Sequence, residues 1–568
     1  MKKEIPVFEE WPFRVPNIQK VVAQVNGFTE ALKNASDEKA ALAVVKKHNK
    51  AMDKVGNEAT HVEVLYSLDT TNKKYEKAMN VINEGMPLVQ NAETSFQKAM
   101  VESPFRPYLE KKLGSFLFQM YEYSLKSFDE KIIPEATEEN KLSMQYSTLM
   151  ASIRVKFQDG EYNLSQMGKF LQDQNRETRK KASEAYYAAL SEKVDEIEEI
   201  YDKLVKVRTE MAKKLGFDNY VALGYLRMGR YDYRPQDVAF YRDEIARVVT
   251  PIAGKLCKDQ FKRTKIRDSH IYDLSVMFPD GNPLPKGTTQ EKIALAQAMY
   301  DKMSPETSYY FRFMAEHHVL DLEARPGKQG GGYMTFFPVY GTSFIFSNFN
   351  GTSGDVDVLT HEFGHSLQGF LSANIPVPEY RMGTMDEAEI DSMSMEFFAH
   401  PYMESFFDNA ERYRYVHLAD AISFLPYGVT VDEFQHWVYE NPEATPAERD
   451  AKWHELELKY TPYKVALYKD CEYLASGHRW LGQGHIFGSP FYYIDYTLAQ
   501  VMAFQFFNLD RKDHEKAWKR YIALCKMGGK YPFRTLVKKA HMKDPFEPHT
   551  IEKAIKPLLK ELKSYKID

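Results

Sequence analysis

Apolar positions recur at helical spacing through most of the chain. Ile18, Val21, Val22, Val25, Phe28 and Leu32 share one helical face, and Ala41, Val44, Val45, His48 and Met52 share another. No proline occurs between Pro134 and Pro235, which permits long uninterrupted helices. One of them runs through Val194, Ile197, Ile200, Tyr201, Leu204, Val207 and Met211 and stops at Gly216, a suitable C-terminal cap. Its surface charges predict i,i+4 pairs between Asp202 and Lys206 and between Glu210 and Lys214. These stripes read as core. Two stretches break the helical pattern. Ser152–Phe157 followed by Asp159-Gly160 predicts a strand entering a hairpin. Gly330–Tyr340 and Ser343–Phe349, rich in aromatic and β-branched residues between glycines, predict two short strands. Phe278–Gly287 is a loop by its prolines and glycines.

The 568 residues are 43% hydrophobic and 27% charged, as expected of a globular protein. The net charge of −5 and the lack of a basic tract argue against nucleic acid as a partner. No apolar run is long enough to predict a membrane span. Cys257, Cys471 and Cys525 are too scattered for a metal spacing or a disulfide framework. That distribution, with Glu4, Glu9 and Glu10 where a signal peptide needs an apolar run, predicts a cytoplasmic protein. A soft boundary falls near residue 175: residues 1–175 carry no catalytic motif, and residues 176–568 carry them all.

The candidate chemistry centres on Val358–Gln368, where His361, Glu362 and His365 spell H-E-x-x-H. Residues four apart lie above one another on a helix, so His361 and His365 can offer imidazole nitrogens to one zinc ion. Glu362, rotated by about 100°, can reach a water on the metal as a general base. The motif alone arises by chance at a rate of roughly a few per hundred such chains. Val356, Leu359, Phe363, Leu367 and Phe370, however, make this helix a packed one, and half-buried polar groups need partners. A zinc site needs a third protein ligand. Met385–Phe398 supplies Glu389, Ser392 and Glu396 on one face beside Ile390, Met393 and Phe397. Glu396 is spaced to accept a hydrogen bond from a ligand imidazole. The alternative for this second helix is an acidic, solvated face.

His361-Glu-Phe-Gly-His365 followed by Glu389-x-x-Ser-x-x-x-Glu396 resembles the thimet oligopeptidase-like zinc metallopeptidases, in particular the bacterial oligoendopeptidase F and Pz-peptidase branch. The resemblance extends to Gly327–Tyr333 and His485–Tyr496 and covers about the C-terminal two-thirds of the chain. It implies one Zn2+ held by His361, His365 and Glu389, with Glu362 as catalytic base. It further implies that His485, Tyr493 and Tyr496 face the metal, Tyr496 as an oxyanion donor. The His485-to-tyrosine distance is about one residue shorter than in the eukaryotic members, which leaves Tyr492 and Tyr493 open as alternatives.

The expected fold is mostly α, zincin-like, with a small antiparallel sheet beside the active-site helix. The resemblance implies an elongated body with a deep substrate channel, the N-terminal helical domain forming one wall. The expected function is internal cleavage of short unstructured peptides. A zinc exopeptidase of the same type is the alternative enzyme, and a non-catalytic helical peptide-binding protein the alternative outside catalysis. The latter predicts loss of at least one of His361, Glu362, His365 or Glu389, and all four are present.

Overall fold

The computed structural model describes residues 5–567. Residues 1–4, on which part of the signal-peptide argument rests, lie outside the described residues. Helices Ile18–Lys33, Glu38–Leu68, Lys73–Val101, Arg106–Leu113 and Ser115–Ser127 (α1 to α5) open the chain. Asn17, Asp37 and Asn72 cap the first three through their side chains, each accepting backbone N–H groups of the first turn. These helices share a core that includes Val25, Val45, Phe96, Leu109 and Phe118. The next helix, Ile133–Ser152 (α6), contributes Leu142 and Tyr146 to the larger core of the C-terminal part. It packs on Val194–Lys214 (α7), where buried Arg208 bonds Glu139 at 2.7 Å. Asp202 and Lys206 pair at 2.7 Å as expected. Lys214 instead reaches Glu135 of α6 at 2.6 Å, because the packing of α6 on α7 brings in a carboxylate that no local spacing predicts.

The expected hairpin forms from Val155–Phe157 (β1) and Gly160–Tyr162 (β2), antiparallel. The second sheet contains Leu320–Glu323 (β3), Tyr333–Phe337 (β4) and Thr342–Phe349 (β5), in the order β3-β5-β4. The expected antiparallel pair is β4 with β5. The sheet as a whole is mixed, not antiparallel throughout, because β3 joins β5 in parallel. The Leu-Asp-Leu-Glu sequence of β3 is too short and too charged to stand out as a strand. Of the three glycines before β4, Gly331 needs its residue type, with φ +92°, and Asn348 Nδ2 holds this loop by donating to the carbonyls of Gln329 and Gly331 at 2.8 Å each.

From the sheet the chain enters Gly354–Ser372 (α8), with Asp355 and Asp357 in its first turn as the helix dipole favours. It then passes a short 3-10 turn at Pro378–Tyr380 into Met385–Phe398 (α9). The largely buried Tyr493–Asp510 (α11) packs along α9 and against the long helix Ala410–Glu440 (α10). α8 and α9 cross at Gly364, where a methyl group would lie 2.7 Å from both the Asp391 carbonyl oxygen and the Ser392 Cα. The segment joining them is tied to the N-terminal helices. Tyr121 donates to Glu379 at 2.5 Å, the Leu117 N–H to the Tyr380 hydroxyl at 2.6 Å, and Arg381 to Asp53 at 2.7 Å. No helix among the described residues is long and apolar enough to cross a membrane.

The crossing yields a first expected outcome. Gly364→Ala must push two backbones apart, and overpacking of this kind costs about 1–3 kcal/mol. Urea unfolding should show a lower midpoint with an unchanged slope, and metal retained after dialysis should fall. Wild-type values for both would mean that the helices do not need this close approach.

Candidate active site

The crossing of α8 and α9 brings the sequence-predicted metal residues together. His361 and His365 stand one turn apart with ring centroids 5.0 Å from each other. Glu389 Oε2 lies 3.2 Å from His361 Nε2 and 3.4 Å from His365 Nε2. One donor atom from each of the three falls within 4.8 Å of the others. Ser392 Oγ donates to the same Glu389 oxygen at 3.0 Å, and the Tyr492 hydroxyl donates to the other at 2.7 Å. The two imidazoles are 21% and 13% exposed, so the cluster is open to solvent on one side.

Behind it, Glu396 Oε1 sits 2.6 Å from His361 Nδ1, as the spacing predicts. Its other oxygen is 2.7 Å from His417 Nε2, and His417 Nδ1 is 3.0 Å from His400 Nε2. A carboxylate on Nδ1 leaves Nε2 of His361 directed at the cluster. Two imidazoles and a carboxylate, one imidazole backed by a second carboxylate, are a donor set that suits Zn2+.

The electrostatics follow from burial and these contacts. Burial opposes a proton on His361 and His365, but nearby carboxylates outweigh it: Glu389 and Glu396 raise His361 strongly, and Glu389, with Glu362 adding less, raises His365. The same pairing, against burial, holds the Glu389 carboxyl well below the usual range. Glu362, buried beside them, is raised above an ordinary glutamate by desolvation, which the two histidines only partly offset. It forms none of the metal-cluster contacts.

His485 and the tyrosines form a second group facing this one. The His485 ring lies 5.9, 5.1 and 5.6 Å from the rings of Tyr492, Tyr493 and Tyr496. Tyr427 donates to Gln483 Oε1 at 2.8 Å, and Gln483 Nε2 is 2.9 Å from His485 Nδ1. In that chain Nδ1 accepts and Nε2 carries the proton, 3.3 Å from the Tyr496 oxygen. Burial lowers the His485 pKa and keeps the ring neutral. Tyr492 is the tyrosine that reaches Glu389, whereas Tyr493 packs against Phe424 and Tyr427.

Of the two alternatives the sequence left open, it is thus Tyr492 that contacts the cluster. Sequence reasoning missed His417, Gln483 and Arg230. Arg230 is buried, donates to the Phe491 carbonyl at 2.8 Å and forms ion pairs with Asp495 at 2.6 Å and Asp386 at 3.7 Å. It thereby joins the start of α9 to the start of α11. Phe491 adopts φ +68°, and Gln435 accepts its N–H at 2.9 Å. This uncommon backbone conformation sets the direction of the tyrosines that follow it. The only sequence signal for it is the Gly-Ser-Pro preceding Phe491.

Residues 8–128 match the Peptidase M3 N-terminal domain, and residues 169–556 match Peptidase family M3. Oligopeptidase PepF of Bacillus subtilis (strain 168) is 22% identical over 97% of this chain and 84% of its own. Among solved structures, Pz peptidase A with an inhibitor is 42% identical, with a TM-score of 0.95 over 98% of this chain and 99% of that one. A putative oligoendopeptidase F from Bacillus anthracis str. Ames is 40% identical, with a TM-score of 0.91 over 99% of both.

Two outcomes are expected of the cluster. Glu389→Ala removes a donor and should abolish tight zinc retention, whereas Glu396→Ala should weaken it by about 10–100-fold. Metal content after dialysis against a graded chelator ranks them; the reverse ranking would exchange their roles. In the metal-free protein the raised imidazoles hold protons that a metal must displace. Zinc affinity should therefore rise with pH through neutrality and level off only above the raised pKa values. Calorimetry in buffers of different ionisation enthalpy should show proton release on binding below that plateau.

Proposed function

The chain belongs to peptidase family M3, and from that premise we propose that it is a zinc-dependent oligoendopeptidase that cuts internal bonds of short, unstructured peptides. The observation that carries this reading is the convergence of His361, His365 and Glu389, with the unengaged, buried Glu362 carboxylate on the same turn of α8. One Zn2+ held by those three residues supplies, when bound, a Lewis acid for the scissile carbonyl and acidifies a water molecule.

The protein's own groups do the rest. Glu362, its basicity raised by desolvation, takes a proton from the attacking water and later delivers it to the departing amine. The neutral His485 donates from Nε2 to Tyr496, which frees the Tyr496 proton for the negative charge that develops on the carbonyl oxygen. Tyr492 steadies the Glu389 carboxylate.

The sheet supports an extended substrate. The Ile345 N–H bonds the Val319 carbonyl, so that peptide unit faces β3. Alternation then turns Met334 and Phe336, opposite Ile345 and Ser343, toward the free edge of β4. A peptide can add there as another strand. Residues 1–175 are assigned one wall of the substrate channel and residues 176–568 the catalytic part. Trp11 stacking on Tyr340 at 3.8 Å, just beyond β4, supports the placement of the wall. The free cysteines Cys257, Cys471 and Cys525 favour a reducing, cytoplasmic setting.

Glu362→Gln should keep its zinc and lose turnover by about 10²–10⁴-fold or more, read by peptide cleavage alongside metal analysis. Full activity would remove Glu362 from the mechanism. The channel assignment predicts a size limit: unstructured peptides of roughly 5–20 residues should be cut internally. The same sequence in an exposed loop of a folded protein should be spared. Equal cleavage of both forms, followed by mass spectrometry, would mean an open cleft.

A further inference from the structure

A cavity of about 240 Å³ lies beside His361, between α8, α10 and α11. Asp357, Glu396, His417, Asp420, Phe424 and Gln500 line it. Asp357 is one turn before His361 on α8, about 6 Å along the axis. The cavity therefore sits within one or two residues of the bond that the site would cut.

Its charges do not balance. Glu396 is engaged on both oxygens, by His361 and His417. Asp357 accepts the Tyr413 hydroxyl, a neutral partner. Asp420 forms no hydrogen bond or ion pair among the described residues; the cations acting on it are His417 and, more weakly, Lys464, whose amine burial pushes down to about 7. The Asp420 side chain is reached by solvent, yet desolvation raises its carboxyl to about 6. A group on the wall of a deep cleft has both properties. Gln500 supplies an independent sign: it is 4% exposed, faces the cavity one turn beyond Tyr496, and its amide nitrogen has no partner. A buried amide N–H without an acceptor is costly, and a ligand carbonyl that accepts from it would recover that cost. The carboxylates do not form a metal site, because the donor atoms that converge near here are those of His361, His365 and Glu389.

We propose that this cavity is a substrate subsite that takes a positively charged group of the peptide, with Asp357 and Asp420 as its counter-charges and Gln500 donating its amide N–H to a backbone carbonyl of the same peptide. The Phe424 ring adds a face on which a guanidinium or ammonium can rest. The inference rests on the peptidase reading and gives that site a substrate preference. The positive group is either an arginine or lysine side chain near the scissile bond or the free α-amine of a short peptide.

The test uses the zinc-loaded full-length protein and one unstructured peptide. Each position within three residues of the cut carries arginine or its neutral isostere citrulline, and each peptide is made with a free and an acetylated N-terminus. At one position, or at the free terminus alone, kcat/KM should favour the cation by about 10-fold or more. In Asp420→Asn that ratio should fall toward one, whereas Gln500→Leu, which removes a donor to the peptide backbone, should lower kcat/KM for both partners and leave the ratio standing. Equal rates for charged and neutral partners at every position and terminus would overturn the subsite while leaving the peptidase reading intact. So would an Asp420→Asn variant that slows both partners alike. If no peptide is cut at all, the peptidase reading fails and the subsite fails with it.

Discussion

The contact of two helix backbones at Gly364 is the constraint on which the rest of the site depends. The histidines are on one helix and the third donor is on another. Their donor atoms come within 4.8 Å of each other only because nothing wider than a hydrogen stands between α8 and the Asp391–Ser392 backbone. The same contact fixes Glu396 behind His361, since Glu389 and Glu396 share one face of α9. A third helix adds the tyrosines, and Arg230 ties the starts of α9 and α11 through a single buried guanidinium. A charge buried this deeply is tolerated because Asp495, Asp386 and the Phe491 carbonyl surround it. Removing any one of them would leave the others uncompensated.

Charge around the site is arranged in layers. Glu389 meets the Nε2 atoms of His361 and His365, Glu396 holds Nδ1 of His361, and His417 with His400 extends the chain. Opposite, His485 is kept neutral by burial and oriented by Gln483 and Tyr427. One side of the cleft thus holds charge and the other holds neutral donors, which suits a reaction whose negative charge appears only in passing.

Much of this could be read along the chain, for a physical reason. His361, Glu362 and His365 are related by one turn of helix, and Glu389 and Glu396 by two, so local periodicity alone places them. The helices, the β1–β2 hairpin and the β4–β5 pair were legible on the same grounds. What periodicity cannot show is which residue another element brings near. His417 arrives from α10, Arg230 from the loop after Tyr220–Arg227, and Glu135 from α6 to take Lys214 from its expected partner. β3 was hidden because its pairing with β5 depends on the sheet and not on its own composition. The choice between Tyr492 and Tyr493 turned on a backbone angle at Phe491 that no side-chain pattern encodes.

The linker between α8 and α9 is held by the N-terminal helices. Tyr121, the Leu117 backbone and Asp53 grip Glu379, Tyr380 and Arg381, and Gly114 lies against the Tyr380 ring. The two regions matched as separate domains are therefore not interchangeable modules. The segment that joins the helix of the two histidines to the helix of Glu389 is clamped by groups encoded some 260 residues earlier. Exchange of the N-terminal helices between relatives, in evolution or in the laboratory, changes this clamp, so they and the spacing of His361, His365 and Glu389 must be inherited together.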